Sequence, residues 1–421
     1  PEKDDKMTIA KNVNTVPLEE IDVSQPERFH QDTWRPWFAR LRSEAPVHYL
    51  KNSANGPFWS VTSHELIKEV DTNHKVFSSE KGGISIVDLI PVDGQMQGKN
   101  FISMDEPDHQ KQRKAVAPSV APKNLRELEP LIRKNVRDIL DHLPLDQPFN
   151  WVERVSIELT ARMLATLLDF PYEDRHKLVH WSDITTAVPE VTGETGIDMK
   201  ARYDELMQCA AAFYQLWTAK VGQPPSFDLI SMLQNNPDTA RMNEDPELFL
   251  GNLLLLIVGG NDTTRNSISG GVLALNQYPD QYQKLRDNPS LIPNMVAEMV
   301  RWQTPVIHMR RTALQDYVLG GQQIKQGDKV IMWYLSGNRD THVFKDPDKL
   351  IIDRPNARAH VAFGFGVHRC MGNRLAEMQL RVLWQEIMLR FHKVEVIGDV
   401  ERLPNNFIRG IKDVPVRLRP L

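Results

Sequence analysis

The sequence predicts a mainly α fold with a minor β region, on three observations. Long segments repeat apolar residues at steps of three and four, the stripe that an amphipathic helix buries. Strand-like runs are short and bounded by Gly, Asn and Pro. No linker, low-complexity tract or internal repeat divides the 421 residues, and 41% hydrophobic content fills a large core. One domain over residues 31–421 is expected, after a loosely held arm over 1–30.

Composition narrows the function. Charge is nearly balanced, 51 basic against 55 acidic residues, which argues against a nucleic-acid partner held by bulk electrostatics. Two cysteines, Cys209 and Cys370, make no disulfide framework, and the polar stretch Pro1–Asn12 has no apolar leader core. The longest apolar run, Leu253–Val258, is much too short to cross a bilayer. A soluble, cytoplasmic protein with no membrane span is expected.

In chain order, Trp37–Ala45 reads as a short helix, Val47–Leu50 and Phe58–Val61 as a hairpin about Asn52–Gly56, and His64–Val70 as a helix. The stretch from Lys81 to Asn100 is broken by Gly and Pro yet carries Ile84, Ile86, Val87, Leu89 and Ile90. Such a loop folds onto the core or lines a ligand cavity. A helix follows Asp105-Glu-Pro, with acids in its first turn, and places His109 and Arg113 on one face. Leu125–Leu143 and Val152–Leu168 are amphipathic helices; Tyr172–Thr186 and Met199–Ala219 form a helix pair around a Thr- and Gly-containing loop. Cys209, inside the second of that pair, is a small packing residue.

Pro246–Tyr278 reads as one long helix. Gly259 and Gly260 lie in its middle, each costing about 1 kcal/mol against alanine, and Asp262 and Thr263 follow. Two interior glycines with an acid and an alcohol make room: Thr263 bonding a carbonyl one turn back would bend the helix and open a polar notch. Further on, Val306–Thr312, Tyr317–Leu319 and Val330–Tyr334 are short strands, and Val394–Ile397 and Val414–Leu418 form a minor β region with Phe407 between them. Glu298 and Arg301, three apart, share a helix face.

The stretch Phe363-Gly-Phe-Gly-Val-His-Arg-Cys-Met-Gly372 is a glycine-loosened loop that delivers Cys370 to the start of a helix over Asn373–Phe391. Orphan N–H groups at a helix N-terminus stabilise a negative sulfur, and a thiolate there suits metal ligation.

These motifs resemble the cytochrome P-450 superfamily of haem-thiolate monooxygenases. Phe-Gly-x-Gly-x-His-x-Cys-x-Gly matches its cysteine-ligand loop, Gly-Gly-x-Asp-Thr its oxygen-activation motif, and Asp-x-Pro-x-His-x-x-x-Arg its propionate-binding helix. The resemblance implies haem b (iron protoporphyrin IX) with Cys370 as the metal ligand, and Phe363, Gly364 and Gly260 against the cofactor. His109, Arg113, Arg311 and His368 would meet the propionates, although Arg310 competes with Arg311 for that role. Asp262 and Thr263 would be catalytic, delivering protons to bound oxygen. Glu298, Arg301 and Arg354 would form a structural triad behind the haem.

Around these motifs the chain looks like the bacterial soluble alkane terminal (omega) hydroxylases of that superfamily. Leu255, Val258, Val306, Ile307, Ile86, Val87 and Phe407 are the implied substrate contacts, all apolar, suiting a medium-chain alkane, fatty alcohol or fatty acid. The helix pair at 172–219 would be a lid. No flavin- or cluster-binding pattern is present, so a separate 2Fe-2S ferredoxin with a NAD(P)H-dependent ferredoxin reductase is implied. Lys111, Lys114, Arg126, Arg369 and Arg374 are its candidate docking residues. A terpene or sterol hydroxylase with a wider pocket is the alternative. A non-catalytic haem-thiolate gas sensor would have no need of Asp262 and Thr263.

Overall fold

The computed structural model describes residues 12–89, 93–96 and 98–421; the N-terminal residues 1–11 and Ile90, named above, lie outside them. Eleven helices that matter below are α1 (Arg35–Glu44), α2 (His64–Thr72), α3 (Asp108–Val116), α4 (Pro122–Asp141), α5 (Glu158–Leu168), α6 (Arg175–Thr186), α7 (Met199–Lys220), α8 (Pro246–Gln277), α9 (Pro279–Asp287), α10 (Ile292–Gln303) and α11 (Asn373–Met388). All but α9 lie close to helices expected from the sequence; a helix at Pro279–Asp287 was not expected. The segment Val152–Ile157, expected as plain α-helix, is a π-helical turn leading into α5.

The main sheet uses β1 (Val47–Leu50), β2 (Phe58–Val61), β3 (Phe77–Ser78), β4 (His308–Ala313) and β5 (Lys329–Trp333), in the order β1-β2-β5-β4-β3. β1 and β2 form the expected hairpin, Val47 opposite Val61; β2 and β5 run parallel, and β5 pairs antiparallel with β4, Met309 opposite Met332. Phe391–Val396 and Pro415–Pro420 pair in a second, smaller sheet. The last helix stops short of its expected end: α11 finishes at Met388, and Phe391 opens that strand, where Phe391 and Val394 are buried while His392 stays exposed.

Residues 12–30, expected as a loose arm, carry Ile21, Val23 and Phe29 into a core cluster with Phe38, Leu50 and Trp333. Two larger clusters position the site. Leu253 and Ile257, in the first half of α8, pack with α6 and α7; Ile268 and Val272, in its second half, pack with α4, α10 and α11. The middle of α8 lies between them. There Gly259 is exposed although it sits in a mostly buried helix, and a Cβ added to it would meet nothing within 4 Å. Leu255, Gly259 and Thr263, four residues apart, are the partly open positions of that face.

Candidate active site

The cysteine loop is shaped by its contacts with α2. Gly364 and Gly366 have φ of +68° and +71°, and a Cβ at Gly366 would come 2.6 Å from the Asp71 carbonyl oxygen, so only glycine fits. The loop closes when the Cys370 N–H donates to the Phe363 carbonyl at 2.8 Å. Cys370 is a free, half-buried thiol whose sulfur receives the Gly372 N–H. In the polypeptide alone, burial pushes this thiol up; the Gly372 N–H, Arg113 and Arg369 pull it down by less.

Asp71 organises this region and was missed from sequence. Its buried carboxylate accepts from the Phe365 N–H at 2.8 Å, the Tyr334 hydroxyl at 2.9 Å and Arg311 Nη2 at 2.9 Å. Burial pushes its pKa up, with Arg311 opposing. The signal available was an acid at a core position of the α2 stripe, one residue after Val70 and four after Ile67. Arg310 and Arg311, adjacent on β4, point to opposite faces: Arg311 meets Asp71, and Arg310 reaches Asp88 at 2.7 Å.

His109, Arg113, Arg311 and His368 come together. The His109 and His368 rings lie 4.0 Å apart, and Arg113 Nη2 donates to the Arg369 carbonyl at 2.6 Å. Burial, then Arg311, His109 and Arg113, hold His368 down at about 2. Its Nδ1 is buried with no hydrogen-bond partner. Glu106 accepts from His109 Nδ1 at 2.9 Å, and Asp71 and Glu106 are the acids facing the cluster. A basic cluster with an orphaned ring nitrogen suits carboxylates. Among the described residues no group of three or more His, Cys, Asp or Glu is placed to hold a metal, so an iron here must bring most of its own ligands, as a porphyrin does.

On α8, the Asp262 carboxylate accepts from Arg265 Nη2 at 2.9 Å, the Ser182 hydroxyl at 3.3 Å and Asn261 Nδ2 at 3.3 Å. The same Arg265 nitrogen bonds the half-exposed Asp183 of α6 at 2.8 Å. Burial pushes Asp262 up to about 6, opposed by Arg265 and reinforced by Asp183. α8 runs unbroken, and the Thr263 hydroxyl makes no hydrogen bond to the described residues, so the bond expected to the carbonyl one turn back is not made and the hydroxyl is free for a ligand. Gly260, expected against the cofactor, instead faces α5: a Cβ there would lie 2.6 Å from Leu164 Cδ2. Gly259 is the glycine on the open face, because successive helical residues diverge by about 100°.

Leu255, Val258, Val306, Val87 and Phe407 are partly open, as substrate contacts must be. Ile86 and Ile307 are corrected: both are at 0% exposure in the core cluster around Trp333, with no open surface to offer. Met309, partly open on β4, was missed. Glu298, Arg301 and Arg354 are buried together. Arg301 Nε donates to Glu298 Oε1, Arg354 Nε donates to Oε2 at 2.7 Å, and Arg301 also binds the carbonyls of Asn338 and Pro347 at 2.8 Å.

A free thiol at a helix start, beside two histidines and two arginines, suits a group that brings iron and carboxylates, and Asp262 and Thr263 lie on the long helix α8. Comparison with known proteins agrees. The Cytochrome P450 family matches residues 224–411. Linalool 8-monooxygenase of Pseudomonas putida is 36% identical over 96% of this chain and 100% of its own. A methyl-branched lipid omega-hydroxylase of Mycobacterium tuberculosis is 31% identical over 97% and 98%. The solved structure of CYP153D17 from Sphingomonas sp. PAMC 26605 superposes with a TM-score of 0.89 at 46% identity, covering 94% of this chain and 98% of that one. The chain belongs to the cytochrome P450 family; it is a monooxygenase that uses haem b. Among the described residues no helix is long and apolar enough to cross a membrane.

Proposed function

We propose that this monooxygenase hydroxylates the terminal carbon of medium-chain alkanes, fatty alcohols or fatty acids, with O2 and electrons from a 2Fe-2S ferredoxin served by a NAD(P)H-dependent reductase. The observation that carries the reading is the open face of α8 at Leu255, Gly259 and Thr263, taken with the partly open Val87, Val306, Met309 and Phe407 as substrate contacts. Those four side chains are apolar and offer no charged anchor. The relative named for omega-hydroxylation of a lipid supports the terminal position. The linalool relative supports the second reading, a terpene hydroxylase using the same residues.

In this reading Cys370 would ligate the haem iron, and His109, Arg113, Arg311 and His368 would hold the two propionates. Haem iron, when bound, supplies dioxygen binding and one-electron chemistry. Asp262, buried beside Arg265 and Ser182, would be the proton source, and the Thr263 hydroxyl on the open face would pass the proton on or hold the water that does. Glu298, Arg301 and Arg354 fix the base of the cysteine loop. An acidic ferredoxin is met by a groove of about 380 Å³ between α4, α10 and α11, where Arg126 and Arg374 are joined by Arg358 and Arg381.

The reduced, carbon-monoxide-bound spectrum tests the ligand, and titration of the ferric protein with octane tests the substrate. A strongly red-shifted Soret band and a low- to high-spin change with octane are expected. A histidine-like band in folded protein sinks the Cys370 assignment; a thiolate band indifferent to octane discards the alkane.

A further inference from the structure

Terminal attack needs a narrow channel, because secondary C–H bonds are weaker and win wherever they reach the oxidant. Two of the proposed substrate contacts lie on loops beside β4: Val87 in residues 84–88 and Phe407 in residues 405–409. One side chain touches both. His308 is at 0% exposure; its Nδ1 donates to the Asn406 carbonyl at 2.7 Å, and its Nε2 accepts from the Ile86 N–H at 3.1 Å. A single neutral tautomer satisfies both bonds. The ring also packs edge-on against Phe407, centroids 5.2 Å apart, and against Trp333 at 5.0 Å.

We infer that His308 is a positioning residue that sets the width of the substrate channel by tying its two side walls to each other. This rests on the proposed role of Val87 and Phe407 as channel walls. Other contacts fix each loop to the sheet separately. The Arg310 N–H donates to Ile84 O at 2.7 Å, and Arg310 and Lys329 grip Asp88 at 2.7 and 3.0 Å. The Ile307 N–H donates to Phe407 O at 2.7 Å. These hold each loop to β4 or its approach; among the described residues the His308 imidazole is the side chain that bonds one loop to the other. Burial holds His308 at about 4, which keeps the bridging tautomer at neutral pH.

Azoles that ligate ferric haem iron measure channel width whatever the natural substrate. Dissociation constants of a slim probe, 1-octylimidazole, and a bulky one, 1-(1-adamantyl)imidazole, are compared in the holoenzyme and in His308→Phe and His308→Gln, with plain imidazole as control. The wild type is expected to prefer the slim probe. His308→Phe loses both hydrogen bonds and should cut that preference about tenfold with imidazole affinity unchanged. His308→Gln, which reaches one partner, should fall between. An unchanged preference in His308→Phe with full haem content overturns the inference. If His308→Phe fails to load haem, an unchanged preference in His308→Gln overturns it instead. A wild type without preference overturns it too. A wild type that discriminates the azoles but ignores octane removes the alkane reading and leaves the inference standing.

Discussion

Glu298 divides its two oxygens between Arg301 and Arg354, all three buried, and the arginines spend their remaining donors on carbonyls of the segment 338–349. Truncation to Glu298→Ala leaves two buried guanidiniums without a counter-charge, which costs about 3–5 kcal/mol. A urea-unfolding midpoint within about 0.5 kcal/mol of wild type would refute that role. Histidines give the second residue-scale prediction. Burial holds His308 at about 4 and His360 at about 3, against 6.5 when exposed. Between those values the unfolded chain binds more protons than the folded one, so stability rises with pH across the window and is lost as pH falls from 6.5 toward 4. Each such histidine contributes a slope of about 1.4 kcal/mol per pH unit. Unfolding measured at pH 7, 6 and 5 should show the decline, and His308→Phe should flatten it by close to one proton; an equal slope would mean that His308 stays neutral in neither state or both.

α8 illustrates which parts of an element can be read from sequence. Its length, its acidic start and the Gly-Gly-x-Asp-Thr stretch are local features, and all are where periodicity and spacing place them. Which glycine faces the opening is not local: Leu164 of α5 leaves no room for a Cβ at Gly260, whereas nothing lies within 4 Å of one at Gly259. Likewise the partners of Asp262 include Ser182 and Asp183, some 80 positions earlier on α6, a pairing that no pattern within either helix announces. The same reason hides Asp71, which serves a strand and a loop far along the chain. The α6–α8 contact makes opposing predictions. Asp183 raises the Asp262 pKa and competes for Arg265, so Asp183→Asn should move it below about 6; Arg265→Met removes the stabilising cation and should move it above. The pH profile of product formed per NAD(P)H consumed reads both shifts. Movement of both variants in one direction would show that Arg265 and Asp183 do not act on this carboxylate by charge.

At the scale of the whole molecule, a chain of net charge −4 brings four arginines to one groove. The groove between α4, α10 and α11 has Leu125, Val296 and Met378 on its floor and Arg126, Arg358, Arg374 and Arg381 on its rim. Arg358 pairs with Glu377 at 3.3 Å and Arg381 with Glu129 at 3.0 Å. Arg126 and Arg374 have no ion-pair partner among the described residues and stay free to attract an anionic surface. Those two are among the five basic residues, with Lys111, Lys114 and Arg369, that the sequence offers for docking near the cysteine loop. Arg358 and Arg381 come from elsewhere in the chain and are brought in only by packing. Charge on an exposed rim acts on association more than on the bound complex, and its reach is about 8 Å at physiological salt. The double variant Arg126→Glu, Arg374→Glu should therefore raise the KM for an acidic ferredoxin about tenfold at low salt, and the difference should shrink as salt is added. Reduction by dithionite and the spin change with substrate involve neither residue and should not move. An unaltered KM, with wild-type reduction indifferent to salt, would place the electron donor on another face and leave the groove without this role.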